Sequence, residues 1–273
     1  MKIVLLCLSI AFALSVRSQE TGIELYSFRN QFPKDVRGTL DKIKSFGITV
    51  VEGGESYGMP ISEFQAALKE RNIKVVSIGA EFSDLENNID SVIRKAKSYG
   101  SKYVVCFGIP HQPNQLSIAE LEHAVQVFTV AGKKLKSEGI ELCYHPHGFE
   151  FRPYKDGTMF DEFVRRLDPS AANFEMDVFW VKHPGQDPVA LLKKYPTRFK
   201  LLHLKDRQKG TEGNQLGEAD VETNVVLGTG DVDIAEVIRQ ARKNKIEYMF
   251  IEDESSRSME QVPQSIRFIN SVR

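Results

Sequence analysis

Two histidines and a glutamate lie within the short stretch YHPHGFEF, residues 144–151. Imidazole nitrogens and carboxylate oxygens are common ligands of divalent metal ions, so this stretch can supply part of a metal site. Its spacing alone is equally compatible with a strand end that carries polar residues. The distinction depends on whether other strand ends, distant in sequence, supply matching ligands.

Ionisable and aromatic residues also follow most of the other apolar runs. Run by run, these are Glu24, Tyr26 and Arg29; Glu52 and Glu55; His111; Asp177 and Trp180; His203, Lys205 and Asp206; Glu252, Asp253 and Glu254. Burying unpaired charge is costly, so this concentration at the ends of separate apolar runs is hard to explain by packing. The pattern favours a site that is assembled from several strand ends.

One oxygen or nitrogen donor from each of the last four runs gives the set Glu150, Asp177, His203 and Glu252. Three carboxylates and one imidazole suit Mn²⁺, Mg²⁺, Co²⁺ or Zn²⁺, with coordination positions left for water or substrate. A closed structural zinc site more often uses cysteines, and the cysteines of this chain do not fit. For each residue alone, a solvated rim position or a salt bridge is the alternative. The four together favour one divalent ion.

The elements that must position these residues alternate regularly along the chain. Eight short apolar runs are typical of strands buried on both faces of a parallel sheet, and they are GIELYSF, ITVVEGG, IKVVSIGA, KYVVCFG, IELCYHPH, ANFEMDVF, FKLLHLKD and IEYMFIEDE. Helix-like segments follow most of them, with capping-box signals at Ser83 with Glu86 and at Ser117 with Glu120. This alternation predicts a single (β/α)₈ TIM barrel, whose active site lies at the C-terminal strand ends. An open doubly wound sheet is the alternative, but no glycine-rich turn follows the first strand.

The N-terminus resembles an export signal. A short basic start, MK, precedes the apolar run IVLLCLSIAFALS, which is too short to span a bilayer. We therefore predict a signal peptide at 1–18, a barrel domain at 19–273, and an exported protein that is periplasmic or secreted. No later run is long enough to cross a membrane. With 36 basic and 37 acidic residues the chain lacks the basic excess of a nucleic-acid binder.

Five motifs resemble one known family: LYSFR, YHPHGFEF, EMDVFW, LLHLKD and FIEDE. They are similar to the xylose isomerase-like TIM barrels known as sugar phosphate isomerases/epimerases, over essentially the whole chain after the signal. The resemblance implies one divalent metal ion held by Glu150, Asp177, His203 and Glu252. It also implies that Glu150 and Glu252 act as acid and base on opposite faces of a ketose or keto-sugar, through a cis-enediolate. Lys205, on the same strand face as His203, can add positive charge near the developing oxyanion, although it can equally be a surface lysine.

The chain departs from the family pattern at two strands. Many relatives carry the fifth-strand glutamate inside the strand, where this chain has Cys143 or Tyr144, so Glu150 matches only a branch with an HxHxxEF signature. Ketose epimerases have a histidine where this chain has Trp180, which indicates either a changed substrate contact or simple burial. The candidates for substrate binding are Tyr26, Glu52, His111, His145, His147 and Trp180. The two histidines of the fifth run can instead orient Glu150.

Three other functions fit the same residues less directly. A dehydratase or lyase acting on keto-sugars or inositol derivatives uses the same metal and enolate chemistry. An apurinic endonuclease requires further histidines, including one at the position of Trp180, and a non-catalytic exported sugar binder needs no metal set. The expected partner is a small-molecule sugar, free or oxidised or a glycoside, with no nucleic acid and no membrane span. The sequence is compatible with either a monomer or a homo-oligomer. The polar segment 206–233 can either cover the substrate or form a solvated loop.

Overall fold

Eight parallel strands close into one barrel in the computed structural model, which describes residues 19–112 and 115–273. The strands are β1 (Glu20–Glu24), β2 (Val50–Gly53), β3 (Lys74–Gly79), β4 (Tyr103–Cys106), β5 (Glu141–Tyr144), β6 (Ala172–Asp177), β7 (Phe199–Leu204) and β8 (Tyr248–Ile251). Each pairs with its neighbours in sequence, and β1 pairs with β8 to complete the ring. The predicted (β/α)₈ barrel is confirmed. The predicted signal peptide, 1–18, lies outside the described residues.

Helices surround the barrel and fill most of the connections between strands. They are α1 (Val36–Ser45), α2 (Ile61–Glu70), α3 (Phe82–Asn87), α4 (Ile89–Tyr99), α5 (Ile118–Ser137), α6 (Met159–Arg166), α7 (Val178–Lys182), α8 (Pro188–Lys194), α9 (Ile234–Lys243) and α10 (Ser258–Ser271). Short 3₁₀ turns occupy Leu25–Phe28, Phe149–Phe151 and Val221–Thr223. Within the described part of the chain, no helix is long and apolar enough to cross a membrane.

The two capping boxes predicted from the sequence differ in outcome. Ser117 caps α5, and Glu120 returns a hydrogen bond to the backbone of Ser117, as predicted. The prediction at Ser83 was wrong, because α3 begins one residue earlier, at Phe82, and places Ser83 inside the helix. Its N-cap residue is Glu81, which makes no side-chain capping bond.

Strand side chains alternate between the inside of the barrel and the layer under the helices. Cys143 packs inside the barrel, together with residues from other strands such as Tyr103 and Tyr248. The next residue, Tyr144, packs outward against Phe128 of α5 and Phe163 of α6, with ring centroids 5.5 and 5.2 Å away. This period of two determines which polar residues face the interior at the strand ends.

Candidate active site

A cavity of about 930 Å³ opens at the C-terminal ends of the barrel strands. Residues at or just beyond the ends of all eight strands line it, from Glu24 at the end of β1 to Glu252 just after β8. We call it the mouth cavity. A smaller cavity of about 660 Å³ lies at the opposite end, beside Lys74, Lys102 and Glu247. Barrels of this fold place their chemistry at the C-terminal end, so the mouth cavity is the candidate site.

Ionisable side chains are densely buried at the base of this cavity. We call them the inner cluster, and they are Glu24, Glu52, His145, Glu175, Asp177, His203, Lys205 and Glu252, each at most 9% exposed. Strand pairing brings them together: β1 pairs Glu24 with Glu52 of β2, and β6 pairs Asp177 with His203 of β7. Five carboxyl groups, two histidines and one lysine are therefore held together away from water.

His203 lies at the centre of the inner cluster. Its Nε2 is 2.7 Å from Oε1 of Glu52, and its Nδ1 is 3.1 Å from Oε2 of Glu252. Burial opposes protonation of this imidazole, but Glu175, Glu252 and Glu52 outweigh burial and raise the pKa of His203 well above its usual value.

His145 faces the same space from the end of β5. Its Nδ1 is 2.9 Å from Oε2 of Glu175, and its Nε2 lies 3.9 Å from Oδ2 of Asp177. Burial lowers the pKa of His145 well below its usual value, so the ring is neutral. One nitrogen therefore bonds to Glu175 while the other is directed towards Asp177.

Glu175 is a member of the cluster that sequence reasoning missed. It lies on β6 two residues before Asp177, and strand alternation places both side chains on the inner face. That alternation is the signal that could have identified it. Burial, reinforced by Glu52, raises the pKa of Glu175 well above its usual value.

Glu150 departs from its predicted place in the metal site. Its carboxylate accepts hydrogen bonds from the Tyr144 hydroxyl, from the amide of Gly148 at 2.9 Å and from the amide of His147 at 3.2 Å. Because Tyr144 points outward, Glu150 lies in the layer between the barrel and the helices. The structure therefore brings together three of the four predicted ligands, and His145 takes the inward position at the end of the fifth strand.

Lys205 is buried beside the same carboxylates. Its ammonium nitrogen is 3.2 Å from Oε2 of Glu252 and 3.8 Å from Oδ2 of Asp177, and it forms an ion pair with Glu254. Burial disfavours the charged form, but these three carboxylates outweigh burial and raise the pKa of Lys205. Lys205 is therefore a fixed internal cation rather than a surface lysine.

The inner cluster fits a bound cation. Four carboxylate oxygens of the inner cluster have no hydrogen-bond partner among residues 19–112 and 115–273, and they are Glu24 Oε2, Glu52 Oε2, Glu175 Oε1 and Asp177 Oδ2. Burial raises the pKa of Asp177 to about 7, which shows that its charge is incompletely compensated. Asp177, His203 and Glu252 each offer one ligand atom within 4.8 Å of the others. Unsatisfied buried carboxylates with an imidazole are a donor set that divalent ions accept.

The predicted substrate-binding residues take three different positions. Tyr26, His147 and Trp180 line the mouth cavity, as His145 also does. Glu52 lies beneath the cavity against His203. His111 does not line the cavity, and its ring stacks on Phe149 with centroids 3.9 Å apart. The structure therefore does not bring His111 to the candidate site.

Hydrogen bonds hold the polar segment 206–233 in place beside the cavity. The Asp206 carboxylate accepts hydrogen bonds from the amides of Gly228, Gly230 and Val232 at 2.8 to 3.1 Å. Further along, Asn214 lies 3.0 Å from Nε2 of His183. None of the described residues of this segment lines the mouth cavity, so the structure shows no covering role for it.

A closed (β/α)₈ barrel with buried carboxylates and histidines at its C-terminal mouth defines a TIM-barrel protein with a candidate cation site. The chain belongs to the xylose isomerase-like TIM barrel family, whose model matches residues 40–272. The family resemblance read from the sequence is thereby confirmed. The family and its neighbours are enzymes, and they include isomerases, epimerases and dehydratases.

Individual relatives share little sequence identity with this chain. The inosose dehydratase of Mesomycoplasma hyopneumoniae strain J is 26% identical over 194 residues, which cover 70% of this chain and 60% of that protein. A sugar phosphate isomerase/epimerase from Parabacteroides distasonis has a TM-score of 0.79 at 22% identity, covering 94% of this chain and 100% of that one. An IOLI protein with a bound zinc atom has a TM-score of 0.71 at 12% identity, covering 93% and 96%. These structures show the fold, and the chain matches only about 60% of the length of the first dehydratase.

Proposed function

We propose that this protein is a divalent-cation-dependent lyase that removes water from an uncharged keto-sugar or keto-inositol. In this reaction a proton leaves the carbon next to the carbonyl, and the hydroxyl on the following carbon departs with a proton as water. The observation that carries the proposal is the pair of carboxyls that line one cavity, Glu252 with a lowered pKa and Glu24 with a raised pKa. The similarity to an inosose dehydratase supports the same reaction class.

Four residues would hold the ion, one from each of the last four strands: His145, Asp177, His203 and Glu252. When bound, a divalent ion polarises the substrate carbonyl and neutralises the charge that develops on its oxygen. The zinc atom in the structurally similar IOLI protein supports a cation at this end of the barrel.

Two carboxylates of the cluster are placed to orient these histidines. Glu175 lies 2.9 Å from Nδ1 of His145, and Glu52 lies 2.7 Å from Nε2 of His203. A carboxylate that accepts from one ring nitrogen fixes the tautomer and directs the other nitrogen to the ligand position. The free nitrogens then point towards the Asp177 and Glu252 carboxylates. Glu175 and Glu52 are thus positioning residues.

The proton transfers follow from opposite pKa shifts. Burial opposes ionisation of Glu252, but Lys205 and His203 outweigh it and lower its pKa, so a Glu252 oxygen can accept the proton from carbon. Burial, and then Glu52, raise the pKa of Glu24, which suits this carboxyl to donate a proton to the departing hydroxyl. The Lys205 ammonium, held beside Glu252, stabilises negative charge on the substrate oxygen.

The lining of the cavity favours an uncharged substrate. Its one arginine and its one lysine are already engaged: Arg29 donates to the carbonyl of Glu254 at 2.7 Å, and Lys95 lies 3.7 Å from Glu55. The other ionised groups on its wall are predominantly carboxylates, including Glu81 and Asp84. A phosphate group would meet repulsion here rather than the arginine fork that usually binds it.

An isomerase or epimerase is the second candidate, and His147 favours it. Burial lowers the pKa of His147 to about 4, so a neutral imidazole lines the cavity and can accept a proton. With Glu252 it would provide the two groups that proton transfer on opposite faces of one carbon requires. The fold of the isomerase/epimerase from Parabacteroides distasonis is compatible with this reaction.

The decisive experiment incubates Mn²⁺-loaded protein in D₂O with an inosose, with fructose and with fructose 6-phosphate. The proposal expects a product that lacks one water from an uncharged substrate, detected by mass spectrometry, and its disappearance in Glu252→Gln. Asp156→Asn, an exposed change outside the cavity, is the control. Deuterium uptake without loss of water would assign the isomerase instead. Turnover of the phosphorylated sugar alone would contradict an uncharged substrate.

Export remains a proposal that rests on the N-terminal sequence. Expression in a Gram-negative host followed by osmotic shock and N-terminal sequencing tests it. Release of a chain that begins at Gln19 supports a signal peptide at 1–18. A full-length chain recovered only from the cytoplasm would contradict it.

A further inference from the structure

The mouth cavity extends well beyond the inner cluster. At one side it touches His203 and Glu252, whereas at the other it reaches Ser91 and Lys95 of α4. Helix α4 belongs to the outer ring, so the cavity passes over the barrel rim into the helical layer. A single sugar ring bound at the cluster would leave this outer part empty. We call the part bounded by α4 and by the segments after β1 to β4 the outer half.

Glycines occupy three strand ends that border the outer half. The cavity is lined by Gly53 at the end of β2, Gly79 at the end of β3 and Gly108 just after β4. A Cβ at Gly53 would approach Leu25 to 2.9 Å, and Gly53 has a φ of +155°. A Cβ at Gly108 would meet no atom within 4 Å, so it would project into open space. These three positions therefore carry no side chain, whereas the ends of β5–β8 carry the candidate ligands.

The walls of the outer half have the chemistry of a carbohydrate site. Tyr26 is 48% exposed, with the Arg29 guanidinium 4.6 Å from its ring centroid. Tyr57 is fixed by stacking on Phe32, with centroids 4.1 Å apart. Aromatic rings offer apolar faces to the C–H side of a sugar, and a few polar groups fix its orientation. Asp84 and Glu81 supply carboxylate acceptors for hydroxyl groups.

A buried carboxyl group connects the two parts of the cavity. Glu24 lines the cavity and is only 7% exposed, and its Oε2 has no hydrogen-bond partner within the described ranges. Leaving a buried polar atom unpaired is costly, so a ligand hydroxyl at this position would recover a hydrogen bond. Glu24 lies at the end of β1, between the inner cluster and the segment after β2.

We propose that the outer half is a second subsite, which binds the neighbouring ring of a disaccharide or another glycoside while the reacting ring lies at the inner cluster. The placement of the reacting ring rests on the proposed function, but the second subsite does not. The ligand class is an uncharged saccharide of at least two rings.

Isothermal titration of Mn²⁺-loaded protein with glucose, cellobiose, maltose and lactose tests the subsite without requiring turnover. We expect at least one disaccharide to bind about tenfold more tightly than glucose, which corresponds to roughly 1.4 kcal/mol. Ser91→Phe, which fills the outer half, and Asp84→Asn should bring the ratio of disaccharide to glucose affinity close to one. Asp156→Asn should leave that ratio at its wild-type value.

Two results would overturn the subsite: disaccharides that bind no more tightly than glucose, including a lack of binding by all four sugars, or variants that keep the ratio unchanged. Circular dichroism of Ser91→Phe and Asp84→Asn verifies that the fold is retained. Because binding is measured directly, failure of the dehydration assay does not affect this result. Conversely, dehydration of a single-ring substrate together with equal affinities would reject the subsite and leave the proposed reaction standing.

Discussion

Two regions of this barrel bury carboxylates completely, and the regions differ in how many hydrogen bonds those carboxylates accept. Between the barrel and the helices, the Glu150 carboxylate accepts hydrogen bonds from a tyrosine hydroxyl and two backbone amides. Inside the mouth, Glu175 and Asp177 each have one oxygen without a hydrogen-bond partner in the described chain. A carboxylate whose acceptors are satisfied stabilises its own loop. Carboxylates with unused acceptors around two histidines form a site that a cation can complete.

The same contrast appears in the charge balance. Glu150 is surrounded by neutral donors, and although burial raises its pKa, the Tyr144 hydroxyl and nearby amides lower it in part. Asp177 is surrounded by other ionisable groups, and burial raises its pKa to about 7. Burial is common to both positions, so burial alone does not identify a functional carboxylate. The chemistry of the partners distinguishes the two.

The largest expected effect comes from removing an inward ligand. Asp177→Ala and His203→Ala should weaken Mn²⁺ binding by more than about 100-fold, because even the loss of an orienting partner typically costs 10- to 100-fold. Titration calorimetry on chelator-treated protein measures the affinity. Glu150→Gln is the matched outward variant and should change it by less than tenfold. Equal losses in the inward and outward variants would remove the distinction between the two regions.

Glu175→Gln should weaken Mn²⁺ binding by roughly 10- to 100-fold, because its carboxylate orients His145 without being a predicted ligand. The amide retains the size of the side chain but cannot ionise. Glu175→Asp shortens the same group and serves as the comparison that retains a carboxyl. An affinity unaltered in Glu175→Gln would show that His145 needs no orienting carboxylate.

The sequence predicts the strands of this barrel and most of the residues at their ends. The alternation of apolar runs and helices predicts the barrel, and the ends of β6 to β8 predict Asp177, His203 and Glu252 as neighbours. Side-chain directions after the fifth strand are harder to predict, because the chain turns at Pro146–Gly148. Beyond a turn, the period of two no longer indicates which side of the barrel wall a residue faces. Counting by two from Cys143 reaches His145, whereas Glu150 lies past the turn. Whether its carboxylate faces in or out depends on Tyr144, whose hydroxyl binds it from the outer layer.

Stabilisation by Mn²⁺ should increase from pH 6 to pH 8. The pKa of Asp177 is raised to about 7 and that of His203 is also raised, so without a cation the folded state binds protons more tightly than the unfolded chain. Stability of the cation-free protein is therefore lost as pH rises through these values, whereas bound Mn²⁺ compensates the ionised carboxylates. The measurement is the Tm difference with and without Mn²⁺, and it should grow by several degrees, at about 2–4 °C per kcal/mol. A difference that shrinks towards pH 8 would contradict this charge balance, and Asp177→Asn should flatten the dependence.

The smallest effect is expected in the outer region, and it should appear in stability rather than in binding. Glu150→Ala leaves the Tyr144 hydroxyl and the amides of His147 and Gly148 without their acceptor, at a cost of about 1–3 kcal/mol for each buried group left unpaired. Tyr144→Phe removes a single donor and should lower the free energy of unfolding by about 1 kcal/mol. Urea denaturation of both single variants and the double variant measures their coupling. If Glu150 acts only on this loop, the double variant loses less than the sum of the two, and Mn²⁺ affinity in Tyr144→Phe stays within a factor of a few of wild type. Additive losses, or a fall in Mn²⁺ affinity as large as that of Glu175→Gln, would mean that the outer carboxylate also supports the inner site.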